Sequence, residues 1–495
     1  MTLTLAVLVS LLTIPFLMLS MKELAPREDK GVLFGIIQGQ PDASLDQTVL
    51  FANKVEEVFR SFPECEQTFQ LTNPGGGFSG MVTVPWSRRK RTTMEMQQVA
   101  AGKLANVAGV RIIPIVPAPL PGGSDFPVEF VLTSTAEPQQ IFELANILVE
   151  KAFASGLFIF ADSDLKYDLP QSEIVLDRDK VSMMGLNMQQ ISADLSSLMG
   201  GNYVNRFSIQ GRSYKVIPQV KRASRLNPEQ LRDFYVTGPG GKLVQLSSVA
   251  EIRQTVEPRQ LNRFQQLNSA KIQAVIPPGV TVDQALSFFE TEAAKILPPG
   301  FTFDYAGESR QLRTEGNAFW STFVLAVLLI YLVLAAQFES FRDPFIILLG
   351  SVPLAVAGAL LFVFLGWKNV TINIYTQVGL ITLVGLVAKN GILIVEFANE
   401  LMAGRGLSKH DAVVEAAATR LRPVLMTTVA TVMGHLPLVF VTGAGAVARN
   451  NIGVVLVTGM IIGTLFTLFV VPAAYVLIGA DHSKQDEPAA ETAPV

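Results

Sequence analysis

The chain has 495 residues, a net charge of −3, 49% hydrophobic residues and 16% charged ones, with a mean hydropathy of +0.37. Soluble domains carry about 25% charged residues, so this balance points to a membrane protein with a large water-exposed part, and the acidic balance argues against nucleic acid as a partner. A single cysteine, Cys65, excludes an internal disulfide and a cysteine-rich zinc site, and His410, His435 and His482 are too scattered to suggest a metal centre.

A membrane-crossing helix needs roughly 20 apolar residues. The first such run, 3–21, is interrupted by Pro15 and opens the chain abruptly. It has neither a basic n-region nor a small-x-small cleavage site, so it reads as an anchor rather than a signal peptide. A long polar insert follows to about 316. Its patterning predicts a strand at 31–38, an amphipathic helix at 45–62, strands at 67–72 and 80–85, a helix at 93–107 and a strand at 109–116, a βαββαβ unit. Within it, Gly75-Gly-Gly-Phe-Ser-Gly80 reads as a flexible turn, since no Gly-Lys-Ser/Thr follows to make a phosphate-binding loop. Arg88-Arg-Lys-Arg91 reads as a solvated helix start. A second unit begins with a strand at 126–133 and a helix at 138–154. It is interrupted near 180 and resumes with a strand at 271–276, a helix at 281–295 and a strand at 301–305. The interruption carries short strands and a helix at 187–199, so the insert is an internal repeat with a further domain inside its second copy.

Five more apolar runs lie at about 318–337, 344–366, 371–398, 423–442 and 450–478, giving one span, the insert and then five spans. Arg342, Arg405, Lys409, Arg420 and Arg422 fall on one side, and only Lys368 and Arg449 on the other. The richer side is expected to be cytoplasmic, which puts the insert in the periplasm of a Gram-negative cell. The acidic, Pro/Ala-rich tail reads as a disordered cytoplasmic end, 479–495.

Lys389 stands near the middle of the run Gly379-Leu-Ile-Thr-Leu-Val-Gly-Leu-Val-Ala-Lys-Asn-Gly-Ile-Leu-Ile-Val-Glu396. A charge at bilayer depth costs about 3 kcal/mol on insertion scales, so a buried, functional lysine with a carboxylate partner is expected. No partner is evident: Glu396 is two turns away, and Glu339 and Asp343 read as turn residues. The simplest inference is that another polypeptide supplies the acid and that this chain is incomplete. Arg420-Leu-Arg-Pro-Val-Leu-Met-Thr427 reads as the start of the fifth span, with Pro423 in its first turn and Thr427 on a polar pathway. Small residues at 353–360 and at Gly459 and Gly463 read as packing positions. No nucleophile-base set, metal cluster or cofactor motif appears, so neither an enzyme nor a cofactor is expected.

Gly385-Leu-Val-Ala-Lys-Asn-Gly-Ile-Leu-Ile-Val-Glu-Phe397, Arg420-Leu-Arg-Pro-Val-Leu-Met-Thr427 and Val441-Thr-Gly-Ala-Gly445 together carry a resemblance, with Ala336-Gln-Phe-Glu-Ser340 and Gly200-Gly-Asn-Tyr-Val204 adding to it. The chain resembles the C-terminal half of a resistance-nodulation-division (RND) multidrug efflux permease of the hydrophobe/amphiphile, AcrB/MexB-like type. That resemblance implies a membrane α-helical bundle of six transmembrane helices (one plus five) with a large periplasmic α+β insert. The insert would hold ferredoxin-like porter subdomains at 27–120 and at 121–178 with 269–306, and a docking subdomain at 179–268. It implies an inner-membrane proton antiporter that exports amphiphiles and works with its N-terminal half, as a homotrimer with a periplasmic adaptor and an outer-membrane channel. Residue by residue, Lys389 resembles the family's central lysine, Asn390, Arg420 and Thr427 its supporting relay groups, and Phe78 stands where relatives carry a longer Phe-bearing substrate loop. In the implied cycle, protonation of carboxylates on the other half frees Lys389 to turn toward Asn390 or Thr427. The family's Gly-x-x-x-Asp-Asp motif does not occur here. The competing expectation is a truncated or accessory membrane protein that uses the same fold for assembly.

Overall fold

The computed structural model describes residues 2–120, 124, 126–277, 279–315 and 318–480, so the acidic tail expected at 479–495 lies, apart from Gly479 and Ala480, outside the described residues. Helix α1 (Thr2–Leu19) leads into a strap and then the first α/β unit. That unit runs β1 (Val32–Gly39), α2 (Leu45–Arg60), β2 (Cys65–Asn73), β3 (Gly76–Thr83), α3 (Thr93–Leu104) and β4 (Val110–Ile115), with sheet order β2-β3-β1-β4. Ser44 caps α2 by accepting from the Gln47 amide, and the helix buries Thr48, Ala52, Val55 and Phe59, one helical face. A reciprocal Thr92–Glu95 capping box starts α3, which buries Met96, Ala100 and Leu104. Both helices cover Leu33, Ile37 and Met81 of the sheet.

The Gly-rich segment is not a turn, apart from Pro74 and Gly75; Gly76–Gly80 lie in β3. Gly77 has φ 151°, and a Cβ there would stand 2.1 Å from the Leu71 carbonyl oxygen. The glycines thus let neighbouring strands come close, a need that glycine content alone does not separate from flexibility.

The second α/β unit opens with β5 (Val128–Ser134), α4 (Pro138–Ser155) and β6 (Phe160–Ser163). The chain then leaves for a separate compact unit, Leu165–Leu261. This unit contains β7 (Tyr167–Leu176), α5 (Arg178–Met183), α6 (Met188–Met199), the hairpin β8 (Asn205–Ile209) and β9 (Arg212–Val216), β10 (Tyr235–Thr237), β11 (Leu243–Gln245) and β12 (Ala250–Pro258). Strand β7 pairs along β12, and Val181, Ile191, Leu231, Val236 and Val249 form a core of its own. Back in the second α/β unit, β13 (Asn262–Phe264), β14 (Leu267–Val275), α7 (Val282–Ile296), β15 (Phe301–Tyr305) and α8 (Gly307–Glu315) complete a sheet ordered β13-β14-β5-β15, with β6 on β14. Its core is aromatic: Phe130 stacks on Phe289 at 5.4 Å and on Phe303 at 5.0 Å.

Helices α9 (Ala318–Phe338), α10 (Arg342–Phe364), α11 (Ile374–Arg405), α12 (Lys409–Phe440) and α13 (Ala446–Ile478) follow. With α1 they make six helices, among the described residues, that are long and apolar enough to cross a membrane. Helices α10, α11 and α13 form the packed centre, whereas α1, α9 and α12 leave most of their apolar surface uncovered by this chain. The expected start of the fifth span at Pro423 is corrected. The helix begins at Lys409, capped by Ser408, and runs through Pro423 and Pro437. At 32 residues it is about 48 Å long, against about 30 Å of hydrocarbon. Its first turns therefore extend beyond the apolar layer, and hydropathy registers only the remainder.

A strap at 21–30 ties the bundle to the first α/β unit. Ile372 N donates to the Met21 carbonyl at 2.8 Å, and Ile374 N to that of Leu24 at 3.1 Å. The Glu28 carboxylate accepts from Ala448 N at the start of α13 at 2.7 Å. Asp29 pairs with buried Arg89 at 2.9 Å and accepts from Thr93 N at 2.9 Å.

Close helix approach in the bundle depends on glycine. A Cβ on Gly459 would stand 2.3 Å from Leu383 Cδ2, and one on Gly463 2.6 Å from Ala355 Cβ, whereas at Gly404 nothing lies within 4 Å. Gly459→Val is expected to lower the thermal midpoint in detergent, costing about 1–3 kcal/mol through overpacking; Gly404→Ala should leave it unchanged or raise it.

Candidate functional site

Lys389 lies at the midpoint of α11. The helix buries Leu383, Val384, Val387, Ala388, Asn390 and Gly391 against the bundle. Its other face is a stripe of exposed positions at helical spacing: Val378, Thr382, Gly385, Lys389, Glu396 and Glu400. Within this chain Lys389 is thus exposed, and the burial and carboxylate expected for it are not supplied by the described residues. A signal for this lies in the run itself, since Thr382, Gly385, Lys389, Glu396 and Glu400 recur at helical spacing as polar or small residues opposite a mainly apolar face. Lys389 makes no hydrogen bond or ion pair among the described residues.

Asn390 sits about 100° around the helix from Lys389 and points the other way. Its amide donates to Thr464 Oγ1 at 3.0 Å and to Thr428 Oγ1 at 3.3 Å, and the two hydroxyls lie 3.4 Å apart. This buried cluster joins α11, α12 and α13. The sequence singled out Thr427, but it is Thr428 that reaches Asn390; the half-buried Thr427 donates to the Val424 carbonyl at 3.1 Å instead. Arg420 lies a third of the way along α12, half-buried, with its guanidinium 4.4 Å from the centre of the Phe397 ring and its buried Nε without an acceptor among the described residues. The four residues expected to form a relay thus divide into an inward group, Asn390, an uncovered one, Lys389, and two on α12 that hydrogen-bond to neither among the described residues. Phe78 is exposed on β3 at the end of an aromatic row, 6.3 Å from Phe69, which is 5.4 Å from Phe34.

Two polar clusters escaped the sequence reading. Asp343 is not a turn residue. It lies in the first turn of α10, 0% exposed, and accepts from Asn399 Nδ2 at 3.0 Å, with Tyr475 donating to the other end of that amide. Its other carboxylate oxygen has no partner among the described residues. The second cluster is outside the bundle. Glu23 and Arg27 of the strap and Glu308 of α8 line one cavity of about 520 Å³. Burial raises the Glu23 carboxyl, against the hydrogen bond from the Thr371 hydroxyl and the charge of Arg27. Burial pushes Glu308 to about 7, opposed by Arg27 and reinforced by Glu23. Spacing could not expose this cluster, since 285 residues separate its ends in sequence order.

Asp343→Ala leaves the Asn399 amide without its acceptor and is expected to cost about 1–3 kcal/mol, read as a lower melting midpoint, with Asp343→Asn milder. Glu308 is held neutral in the fold at a pH where it ionises when unfolded. Its stabilising contribution is therefore complete below about pH 4.5 and is lost as pH rises through about 7. Glu308→Gln should melt with the parent near pH 5 and above it at pH 8, by up to about 3 kcal/mol.

Comparison with known proteins places these features. A family model described as AcrB/AcrD/AcrF matches residues 1–479. An uncharacterized transporter of Haemophilus influenzae is 41% identical over 482 residues, 95% of this chain and 46% of that protein. Multidrug export protein AcrF of Escherichia coli is 30% identical over 471 residues, 92% of this chain and 45% of its own. The toluene efflux pump membrane transporter TtgB of Pseudomonas putida is 30% identical over 469 residues, 92% and 44% respectively. The chain spans about half the length of the curated relatives it matches. It belongs to the AcrB/AcrD/AcrF family, and with its apolar helices it is a multi-pass membrane protein of the RND efflux permeases.

Proposed function

We propose that the chain forms the C-terminal half of a proton-driven exporter of amphiphiles in the inner membrane, in which Lys389 meets carboxylates on helices of an N-terminal half. The carrying observation is the uncovered Lys389 at the midpoint of α11, on a stripe with Thr382 and Gly385 beside it. A positive charge at that depth calls for a carboxylate or a water path, and the small and polar neighbours suit a partner helix at close range. Asn390 is committed to Thr428 and Thr464, so in this reading it is the pivot holding α11 to α12 and α13, while Lys389 moves alone at the interface.

Proton binding on the partner carboxylates then weakens their hold on Lys389, and α11 shifts. The strap carries that shift outward, because Ile372 and Ile374 at the start of α11 are bonded to it and Asp29 at its far end is bonded to α3. The two α/β units act as porter subdomains whose cleft takes amphiphiles, with the Phe34–Phe69–Phe78 row as apolar surface. The 165–261 unit acts as the docking subdomain. Its β8–β9 hairpin, exposed throughout with Phe207 stacked on Tyr214 at 5.6 Å, suits trimer contacts. A periplasmic adaptor and an outer-membrane channel complete the export route.

With a matching N-terminal half co-expressed, Lys389→Ala is expected to abolish efflux of a fluorescent amphiphile at unchanged membrane abundance. Efflux at the parent rate would overturn the proposal.

A further inference from the structure

The cavity that holds Glu308 has a chemistry of its own. Its walls are largely apolar, with Ile113 of β4, Phe160 of β6 and Val280 just before α7. Glu308 is 7% exposed, lines the cavity and has no hydrogen-bond partner among the described residues. Glu23, by contrast, is engaged by the Thr371 hydroxyl, which in turn accepts from Asn373 Nδ2 at 2.9 Å. The charges facing Glu308 are few. Arg27 and Glu23 come from the strap, and Arg111 across the cavity is paired with Asp162 at 3.3 Å. Glu129 of β5, beside Gly307, is answered by Lys271 at 3.1 Å. Two carboxylates therefore share one guanidinium, and the unbonded one faces an apolar chamber.

That arrangement selects by charge. An anion would meet Glu23 and Glu308 around Arg27, the lining guanidinium that makes no ion pair among the described residues. A hard metal ion seeks six or more oxygen ligands, and among the described residues no group of three or more His, Cys, Asp or Glu side chains could hold one. A large organic cation meets both demands, since its body removes apolar surface from water and its charge completes the neutralisation of Glu308. We infer that this cavity is a subsite for organic cations with apolar bodies, with Glu308 as the group that receives the positive charge and Arg27 as the competing internal cation. The inference rests on the proposed reading of the cleft between the α/β units as the route for amphiphiles, and it adds the substrate's charge and the residue that reads it. Bound cation and bound proton exclude each other on Glu308, so occupancy rises as pH rises through about 7.

The test is equilibrium binding to the full chain in nanodiscs. The probes are tetraphenylphosphonium, whose charge does not vary with pH, and neutral triphenylphosphine oxide. At pH 8 the cation is expected to bind the parent more tightly than the neutral probe. Glu308→Gln should weaken cation binding about tenfold, or about 1.4 kcal/mol, and abolish its increase between pH 6 and pH 8. Arg27→Met should tighten it, and neither change should move the neutral probe. Because Arg27→Met predicts a gain, a general loss of folding cannot imitate the pattern. If Glu308→Gln binds the cation as tightly as the parent, or if the parent binds the neutral probe and the cation equally, the subsite is overturned while the cleft reading stands. If the parent binds neither probe, both are overturned.

Discussion

An ammonium on a membrane helix must be matched, and the arrangement of this bundle follows from where that match is made. Inside the chain, polar groups answer one another: Asn390 with Thr428 and Thr464, Asp343 with Asn399, Asn373 with Asn451 at 2.8 Å. Each bond links two helices, because a polar side chain without a partner at that depth costs more than the link constrains. Lys389 makes no such link among the described residues and lies on the face of α11 that this chain leaves uncovered. The same helix thus carries an inward polar group that fixes its packing and, one residue before it, an outward charge available to something else.

This division separates holding from moving. The centre, α10, α11 and α13, is close-packed around Gly459 and Gly463, and such packing shifts as a unit rather than by continuous deformation. The strap joins the outer ends of α11 and α13 to the first α/β unit through backbone bonds and two buried carboxylates. A displacement of α11 therefore has a direct mechanical route to α3 and β4, and through them to the cavity that holds Glu308. In the proposed cycle, the proton site and the substrate site are connected by covalent and hydrogen-bonded structure alone.

Much of the fold was legible in the sequence. Alternation and turn residues located most strands of the two α/β units, with 301–305 matched to the residue, but β3 and β14 each begin four residues before the expected strands and the short β6 and β13 were not expected; apolar runs located six long helices. The errors have physical causes. Helix α12 starts 14 residues before the expected start at Pro423 because hydropathy measures the apolar layer, not the helix. The Gly-rich segment joined a strand because close backbone approach and flexibility call for the same residue. The site was less legible. Lys389 and Asn390 stood out by chemistry, but their different faces follow from helical phase, whose signal is the stripe of polar and small residues around Lys389 rather than the apolar run alone. Thr427 and Thr428 are chemically alike and differ only by 100° of rotation. Asp343 and the Glu23–Arg27–Glu308 cluster are formed by tertiary packing and carry no local signal.

The central claim is that the Lys389 face of α11 is covered by a helix of another polypeptide. A photo-crosslinking amino acid at Gly385, one turn from Lys389 on the same uncovered stripe, measures this directly in membranes that also contain an N-terminal half. The account predicts a covalent adduct to that half, and no such adduct when the crosslinker is placed at buried Val387. Crosslinking from position 385 to lipid alone would contradict it.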